Sequence, residues 1–386
     1  MKPGYKQTEV GVIPEDWDSM KLGMFISLQR GHDLTWRDRG GGEVPIMGSA
    51  GQNGFHNTAI VKGPGVVLGR SGSSFGQAHY CAPDFWPHNT ALYVTDFKGN
   101  DPLFVFYFLT ATDFSRHNSG GAQQSLNRNF IAPIPIGVPR KTEQRAIAEA
   151  LSEVDGLLGA LERLIAKKRD LKQAAMQQLL TGQTRLPGFS GPWEVKRLGD
   201  VATFYKGKGL PKSAISVAGS DPCIHYGELF TRYAETIGTI HSRTNEIAAT
   251  FRSVANDVLM PTSDVTPRGL AKASCVNADG VILGGDILVI RSDTKLIHGS
   301  FLSSLIRYEE NQVLQLVTGS TVFHLYGSDM KKFVFSMPPL AEQTAIAAVL
   351  SEQDGELAVL EQRREKTRAL KQAMMQELLT GRTRLV

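Results

Sequence analysis

Two groups of residues in the sequence have the types and spacing of known catalytic motifs. Residues 72–76, GSSFG, have the G-x-S-x-G form of a serine hydrolase, which requires a strand, a sharp turn and a helix around the serine. They lie instead in a run rich in glycine and serine, which predicts a turn. Asp84, Asp96 and Lys98 resemble the carboxylate and lysine set of a metal-dependent nuclease. That pattern is loose and arises often by chance, so neither group predicts catalysis by itself.

Other motifs with a defined chemistry are absent or incomplete. The sequence has no G-x-x-x-x-G-K-[ST] loop for nucleotide phosphates, and its nine histidines show no HExxH spacing for zinc. Residues 101–104, DPLF, differ by one residue from the D-P-P-F type motif of amino methyltransferases. No glycine-rich loop after a predicted strand supplies a methyl-donor site, so we interpret Asp101 and Pro102 as the start of a helix. We expect no metal site, and catalysis is the weaker class of function.

Polar loops carry the side-chain types that contact DNA bases. Arginine pairs with guanine, and asparagine or glutamine with adenine, through two hydrogen bonds in the major groove. The alternative is that these glycine-rich polar loops are simply solvated. The candidate DNA-binding residues in the first half of the chain are Arg70, Ser71, Ser73, Ser74, Gln123, Gln124, Ser125, Asn127, Arg128 and Asn129. Those in the second half are Lys206, Lys208, Ser263, Thr266, Arg268, Thr318, Ser320, His324 and Tyr326.

Composition narrows the class of protein. An apolar fraction of 41% and a charged fraction of 21% over 386 residues exclude a largely disordered chain. Three cysteines without a CxxC spacing argue against a disulfide framework or a zinc ribbon. The beginning of the sequence has no signal-peptide pattern, and the longest apolar run, residues 103–109, is too short for a membrane helix. We therefore expect a cytoplasmic protein without a membrane partner.

The charge is small and unevenly placed. There are 42 Lys and Arg against 38 Asp and Glu, a net charge of +4. Residues 1–138 carry 0, residues 139–186 carry +3, residues 187–338 carry +1 and residues 339–386 carry 0. If the nearly neutral globular segments bind DNA, the attraction must come from local placement of charge and from partner proteins.

The polar loops lie in two globular segments that an internal repeat separates. Residues 143–186 and 342–385 align without a gap at an offset of 199, with 28 of 44 positions identical. Weaker matches precede each copy, among them Gly31 with Gly207 and Leu34 with Leu210. The chain is therefore a globular segment followed by the repeated segment, twice.

The repeated segments are predicted to be long helices that pair with each other. Apolar residues recur in steps of three and four, as in a coiled coil. A helix of about 40 residues is about 60 Å long, too long to be buried within one small domain. Because the first helix must end where the second globular segment begins, an antiparallel pair is the simpler topology. The predicted helix-pairing and subunit-docking residues are Ile147, Leu151, Leu158, Leu161, Leu179, Ile346, Leu350, Leu357, Leu360 and Leu378.

The globular segments have the pattern of mixed α and β structure. Short apolar runs bounded by glycine, proline or asparagine predict strands at residues 65–69, 90–94 and 286–290. Residues 102–112 and 300–308 are predicted to be short helices. Many short strands leave many exposed loops, which suits a recognition surface.

With these motifs in hand, the sequence resembles the specificity (S) subunit of type I restriction–modification systems. The resemblance covers essentially the whole chain and depends on short motifs in a fixed order. The motif FWPHNT at residues 85–90 adds His88 and Asn89 to the candidate DNA-binding residues. The motifs are VPIMGS at residues 44–49, GFHN at 54–57, GPGVVLGR at 63–70, FWPHNT at 85–90, SLNRN at 125–129, PPLAEQ at 338–343, and LLTG at both 179–182 and 378–381.

The resemblance implies a fold and a set of partners. The fold class would be α+β, with two α/β target recognition domains separated by a pair of long antiparallel helices and an approximate internal twofold symmetry. The recognition domains would be residues 1–138 and 183–338, and the spacer helices residues 139–182 and 339–386. The partners would be double-stranded DNA, two methyltransferase (M) subunits and, in the full complex, motor–nuclease (R) subunits. S-adenosylmethionine would be held by the M subunits, with no cofactor bound directly by this chain.

The implied function is recognition of a bipartite DNA site without catalysis. The second globular segment lacks the GPG motif of the first, so the two half-sites should differ and the whole site should be asymmetric. Two alternatives from other classes remain. One is a self-contained DNA modification enzyme or nuclease using Asp84, Asp96 and Lys98. The other is a coiled-coil scaffold that binds only proteins.

Overall fold

A computed structural model describes residues 3–120, 124–248 and 250–385. The chain forms two compact units, each containing one globular domain and part of both long helices. Unit 1 comprises residues 1–162 and 362–386, and unit 2 comprises residues 163–361. The long helices are α4 and α10, and the other helices are short. The helices are α1 (Leu22–Phe25), α2 (Pro102–Ala111), α3 (Arg128–Ile131), α4 (Lys141–Leu180), α5 (Leu198–Val201), α6 (Glu228–Thr231), α7 (Gly299–Tyr308), α8 (Glu310–Leu314), α9 (Gly327–Met330) and α10 (Leu340–Leu378).

Unit 1 is built on a four-stranded antiparallel sheet of order β4-β10-β7-β8. A smaller sheet of order β6-β5-β9 and two strand pairs, β1 with β2 and β3 with β11, complete the domain. The strands are β1 (Tyr5–Thr8), β2 (Gly11–Pro14), β3 (Asp18–Lys21), β4 (Ser27–Arg30), β5 (Val44–Gly48), β6 (Gly51–His56), β7 (Gly65–Gly69), β8 (Ala78–Cys81), β9 (Trp86–Pro87), β10 (Ala91–Asp96) and β11 (Pro135–Val138).

Unit 2 is built on a five-stranded sheet of order β13-β23-β19-β21-β16. Beside it are a second five-stranded sheet, β14-β17-β15-β22-β18, a three-stranded sheet, β20-β25-β24, and the pair β12 with β26. The strands are β12 (Glu194–Arg197), β13 (Ala202–Lys206), β14 (Ile215–Ser216), β15 (Asp221–Ile224), β16 (Thr236–Ile237), β17 (Ser242–Thr244), β18 (Phe251–Arg252), β19 (Asp257–Pro261), β20 (Ser263–Asp264), β21 (Ser274–Val276), β22 (Ile282–Leu283), β23 (Ile287–Ser292), β24 (Thr318–Gly319), β25 (Phe323–His324) and β26 (Val334–Met337).

The short elements predicted from local sequence are confirmed within two residues at each end. The strand over residues 65–69 is β7, and all five of its residues are buried. The predicted helix over residues 102–112 is α2, which begins as expected because the Asp101 carboxylate accepts the amides of Leu103 and Phe104 at 3.0 and 2.9 Å. The predicted α+β fold class is likewise confirmed.

The long helices run antiparallel within each unit. In unit 1, Asp155 pairs with Lys371 at 2.6 Å and Glu162 with Arg368 at 3.3 Å, so positions on α10 fall as positions on α4 rise. In unit 2, Lys172 pairs with Asp354 and Lys168 with Glu356, both at 2.5 Å. The structure buries or half-buries all ten predicted helix-pairing residues: Ile147, Leu151, Leu158, Leu161, Leu179, Ile346, Leu350, Leu357, Leu360 and Leu378.

The ends of these helices also belong to the cores of the globular domains. In unit 1, Ile147 and Leu151 of α4 and Leu378 of α10 pack in one cluster with Trp17 and Phe104. In unit 2, Leu179, Ile346 and Leu350 pack with Phe301 and Phe333. The apolar residues of the repeat therefore make two kinds of contact: some pack helix against helix, and others pack a helix against a globular domain.

In each unit, one buried carboxylate links the globular domain to the long helices. Glu143, 1% exposed, accepts from Trp17 Nε1 at 2.9 Å and from Arg384 Nη2 at 2.8 Å in unit 1. Glu342, fully buried, accepts from Arg185 Nη2 at 2.6 Å and from Trp193 Nε1 at 3.2 Å in unit 2. We call these groups anchor 1 (Trp17, Glu143, Arg384) and anchor 2 (Trp193, Glu342, Arg185). Glutamate and arginine recur at the offset of 199, so the conspicuous sequence repeat includes these buried ion pairs.

Candidate nucleic-acid interface

A polar groove of about 720 Å³ lies at the end of the main sheet of unit 1. It brings together four residues that the sequence predicted to bind DNA: Arg70, Ser125, Asn127 and Arg128. We call it groove 1 and define it by its lining, which is Gln29, Arg30, Gly31, His32, Asp33, Arg70, Leu92, Ser119, Ser125, Leu126, Asn127 and Arg128.

Backbone pairing holds two separate loops of groove 1 together. Ser71 pairs with Ser125, and the Leu126 amide donates to the Arg70 carbonyl at 2.7 Å. The Leu126 side chain is fully buried, so it fixes the second loop to the core. Arg70 and Asn127, 57 residues apart in sequence, therefore share one surface.

The side chains of groove 1 are partly held and partly free to contact a ligand. The Arg70 guanidinium donates to the Asn89 carbonyl at 3.5 Å, and that of Arg128 donates to the Leu28 carbonyl at 3.3 Å. The Asn127 side chain accepts the Asn129 amide at 3.0 Å and caps α3, so its oxygen is already occupied. Among the described residues, these bonds use one of the five N–H donors of Arg70 and one of those of Arg128, so both guanidiniums can also bind phosphate or base edges.

A second groove of about 560 Å³ lies on unit 2. It brings together the predicted residues Lys206, Ser263, His324 and Tyr326. The rings of His324 and Tyr326 stack at 6.0 Å with 17° between their planes. We call it groove 2 and define it by its lining, which is Phe204, Tyr205, Lys206, Thr262, Ser263, Asp286, Leu288, Val322, His324, Leu325, Tyr326 and Gly327.

The two grooves occupy the same place in the two domains. The Leu325 amide donates to the Thr262 carbonyl at 3.0 Å, as Leu126 donates to Arg70 in unit 1. Pairing of β20 with β25 matches the bridge between Ser71 and Ser125. Side chains at equivalent positions nevertheless differ: Arg70 corresponds to Thr262, and Ser125 corresponds to His324. The same backbone thus presents two different polar surfaces.

The remaining predicted residues lie beside the grooves or hold their loops. Ser73 and Ser74 are in a 3₁₀ turn, Gln124 lines a neighbouring depression, and Gln123 lies outside the described residues. His88 is half-buried, and its ring contacts the Thr90 hydroxyl at 3.1 Å. Ser71, Asn89, Asn129, Lys208, Thr266, Arg268, Thr318 and Ser320 adjoin the same loops without lining either groove.

Several groove residues were not predicted from the sequence. Gln29, Arg30, His32 and Asp33 line groove 1, and Tyr205 and Asp286 line groove 2. The match of Gly31 with Gly207 between the two globular segments is a sequence signal that could have identified Arg30, because Arg30 and Lys206 directly precede these glycines. Their amides make equivalent hydrogen bonds of 2.9 Å to the carbonyls of Ala91 and Ile287.

The residues of the enzyme alternative have local structural contacts. Asp84 accepts the Gly63 amide at 2.9 Å, Asp96 accepts the Lys98 amide at 2.7 Å, and Lys98 Nζ donates to the Gly23 carbonyl at 2.8 Å. Among the described residues no group of three or more His, Cys, Asp or Glu side chains could hold a metal ion. Burial raises the pKa of Cys81 and Cys223 to about 11, so these thiols stay protonated at neutral pH and are poor nucleophiles.

The middle of α4 carries exposed leucines away from the helix seam. Leu157, Leu164 and Leu171 recur every seven residues and are 41%, 41% and 51% exposed. In the second copy the first two positions are Glu356 and Arg363, so α10 lacks this apolar stripe. None of the helices within the described residues combines the length and apolar character needed to cross a membrane.

Comparison with known proteins matches nearly the whole chain to one protein family. The family model described as type I restriction modification DNA specificity domain matches residues 14–169 and 190–367. The MjaX type I restriction enzyme specificity subunit of Methanocaldococcus jannaschii is 22% identical, over 99% of this chain and 97% of that protein.

Solved structures share the fold at low sequence identity. The S subunit of a type I restriction–modification system from M. genitalium has a TM-score of 0.69 and 15% identity, covering 98% of this chain and 99% of that one. A chain from a study of complex assembly and conformational transition in a type I system has a TM-score of 0.55 and 17% identity, covering 96% and 99%.

Proposed function

The chain belongs to the type I restriction–modification DNA specificity family, whose role is DNA sequence recognition, and from that premise we propose that each unit binds one half of a bipartite, asymmetric DNA site. The observation that carries the proposal is the pair of grooves at equivalent backbone positions with different side chains. Equivalent position supports a common mode of binding, and different side chains support different half-sites.

Groove chemistry suits recognition in the major groove of duplex DNA. Arg70 and Arg128 in groove 1 match the two acceptors of guanine, whereas groove 2 offers the ammonium of Lys206 and the imidazole of His324. Because both globular segments are nearly neutral, phosphate attraction from this chain is small. We therefore expect the isolated chain to bind DNA weakly and the assembled complex to bind tightly.

The long helices would set the unread spacer and dock the methyltransferase subunits. Helices α4 and α10 each contribute residues to both units, which supports a role as the connecting spacer. Leu157, Leu164 and Val359 are exposed on these helices, which supports an apolar surface where a partner could bind. Two M subunits would methylate adenine in the bound site, and R subunits would join for cleavage.

Catalysis and the methyl donor would reside in the partners. S-adenosylmethionine would be bound by the M subunits, and this chain would hold no cofactor directly. Protonated buried thiols and the local contacts of Asp84, Asp96 and Lys98 support a chain without chemistry of its own. Purified chain with magnesium, methyl donor and DNA is the test, and we expect neither cleavage nor methylation.

The decisive experiment is to map methylated adenines after assembly with the M subunits. We expect two unlike half-sequences separated by a spacer of constant length and variable sequence. A palindromic site would contradict asymmetric reading by the two grooves. Methylation without any sequence preference, or an assembly that does not retain DNA, would favour the protein-only scaffold.

Replacing Arg70 with alanine should weaken recognition of one half-site only. A bidentate arginine–guanine contact gives about 1–3 kcal/mol of discrimination, or roughly 5- to 150-fold. Competition binding of the assembled complex with single-base variants of each half-site measures the effect. Arg116→Ala is the matched control, because Arg116 is exposed in the same domain but does not line groove 1. Equal loss for all duplexes would make Arg70 a phosphate contact.

A further inference from the structure

Each groove contains one carboxylate paired with a cation at the end of a strand, which is β4 in unit 1 and β13 in unit 2. In groove 1, Asp33 Oδ1 is 3.3 Å from Arg30 Nη2, and in groove 2, Asp286 Oδ1 is 3.3 Å from Lys206 Nζ. The two cations are equivalent, because each precedes the matched glycine. The two carboxylates are not equivalent, since Asp33 follows β4 whereas Asp286 precedes β23. Duplication of an ancestral segment therefore does not explain the shared arrangement.

Stability does not explain these carboxylates either. The Asp33 side chain is 73% exposed and that of Asp286 49% exposed. Ion pairs between side chains this exposed contribute little to stability. In a groove that receives DNA, each carboxylate also repels the phosphate backbone and so lowers affinity for every sequence. A residue that contributes little stability and lowers general affinity needs another role.

The contacts of Asp33 connect it to the other polar groups of groove 1. Its carboxylate accepts from the side-chain amide of Asn89, and the Asn89 carbonyl accepts from Arg70. One carboxylate is thus linked to the guanidinium of Arg30 directly and to that of Arg70 through one residue.

Asp286 holds a backbone conformation that glycine would adopt with less strain. Its φ is +61°, and it directly follows Gly284 and Gly285. Aspartate is tolerated in this left-handed region but glycine is favoured. Its carboxylate lies 3.5 Å from the Thr262 hydroxyl and beside Lys206, within the lining of groove 2. The side chain is therefore the feature that distinguishes this position from its glycine neighbours.

We propose that Asp33 and Asp286 select bases, each accepting a hydrogen bond from the exocyclic amino group of cytosine or adenine in the major groove. Those amino groups are the donors on the groove edge, whereas guanine O6 and thymine O4 are acceptors that a carboxylate repels. Each aspartate would thus require an amino-bearing base on the strand that it faces. This inference rests on the proposed function and assigns one selective position to each half-site.

The test uses the Asp33→Asn and Asp286→Asn variants, each assembled with the M subunits, and duplexes randomised in each half-site. An amide both donates and accepts, so it should tolerate guanine or thymine where the carboxylate excludes them. We expect discrimination at one position to fall about tenfold or more. Asp33→Asn should relax only the half-site of unit 1, and Asp286→Asn only that of unit 2. Binding to unrelated duplex should become tighter.

Asp18→Asn and Asp200→Asn are the matched controls, because both aspartates are exposed and outside the grooves but give the same charge change. They should leave every base preference unchanged. If the groove variants alter affinity for all duplexes equally, as the controls would, the carboxylates act only through net charge and the inference is overturned. A wild-type complex without sequence preference would instead contradict the proposed function, which distinguishes the two failures.

Discussion

Replacing Arg384 with alanine should lower the free energy of unfolding by about 3–5 kcal/mol, because it leaves a buried carboxylate without its charged partner. Glu143 is 1% exposed and receives two hydrogen bonds from Arg384 and one from Trp17. Without the arginine, only the indole N–H faces the charge. Denaturant unfolding of unit 1 measures the loss, and Arg185→Ala should act in the same way on anchor 2 in unit 2.

Arg382→Ala is the control for this prediction. Arg382 lies two residues away, where its side chain is 69% exposed and 3.8 Å from Glu377. Such a surface pair contributes about 0–1 kcal/mol, so the variant should unfold almost as the parent does. Equal stability of Arg384→Ala and Arg382→Ala would show that anchor 1 does not hold the domain to the helices.

Lengthening both long helices by one heptad should change the spacer of the DNA site and leave both half-sequences unchanged. The insertions belong after Glu162 in α4 and after Glu361 in α10, which are equivalent positions of the repeat at the boundaries of the units. Seven residues keep the apolar seam in register and add at most about 10 Å of helix. Because base pairs rise 3.4 Å, the preferred spacer should lengthen by no more than about three base pairs.

Methylation mapping of the assembled complex measures this effect, and affinity for the original site should fall by about 100-fold or more, because the contacts to several bases of one half-site are lost. A heptad inserted into α4 alone is the control. It should displace pairs such as Lys172 with Asp354 and reduce folding rather than create a new spacer. New half-site bases with the original spacer would contradict the role of the helices as a spacer.

Much of this architecture could be predicted from the sequence, because it depends on local pattern. The 3.6-residue periodicity and the Asp-Pro start of α2 each involve residues close together in the chain, and the repeat at an offset of 199 is found by comparing two contiguous segments. The loop SLNRN was likewise visible as a polar run. Its role was harder to predict, since the Asn127 side chain proves to cap α3, whereas Ser125 and Arg128 line groove 1.

Groove composition could not be predicted in this way. The lining of groove 1 comes from the end of β4, the residue after β7 and the loop before α3, which are far apart in sequence. Arg30 and Asp33 have no motif of their own. They join the site because β4 pairs with β10, which places them beside Arg70.

The sequence by itself determined the class of protein, the two-fold repeat, the long helices and the type of ligand, because periodicity, duplication and short motifs are properties of contiguous residues. Only the tertiary structure decided that the two dissimilar globular segments each carry a groove at an equivalent backbone position, since that equivalence lies in backbone hydrogen bonds that are insensitive to side-chain identity. It also decided which charges are buried: Glu143 and Glu342 look like ordinary helix-surface residues until the segments that follow the opposite helices supply Arg384 and Arg185.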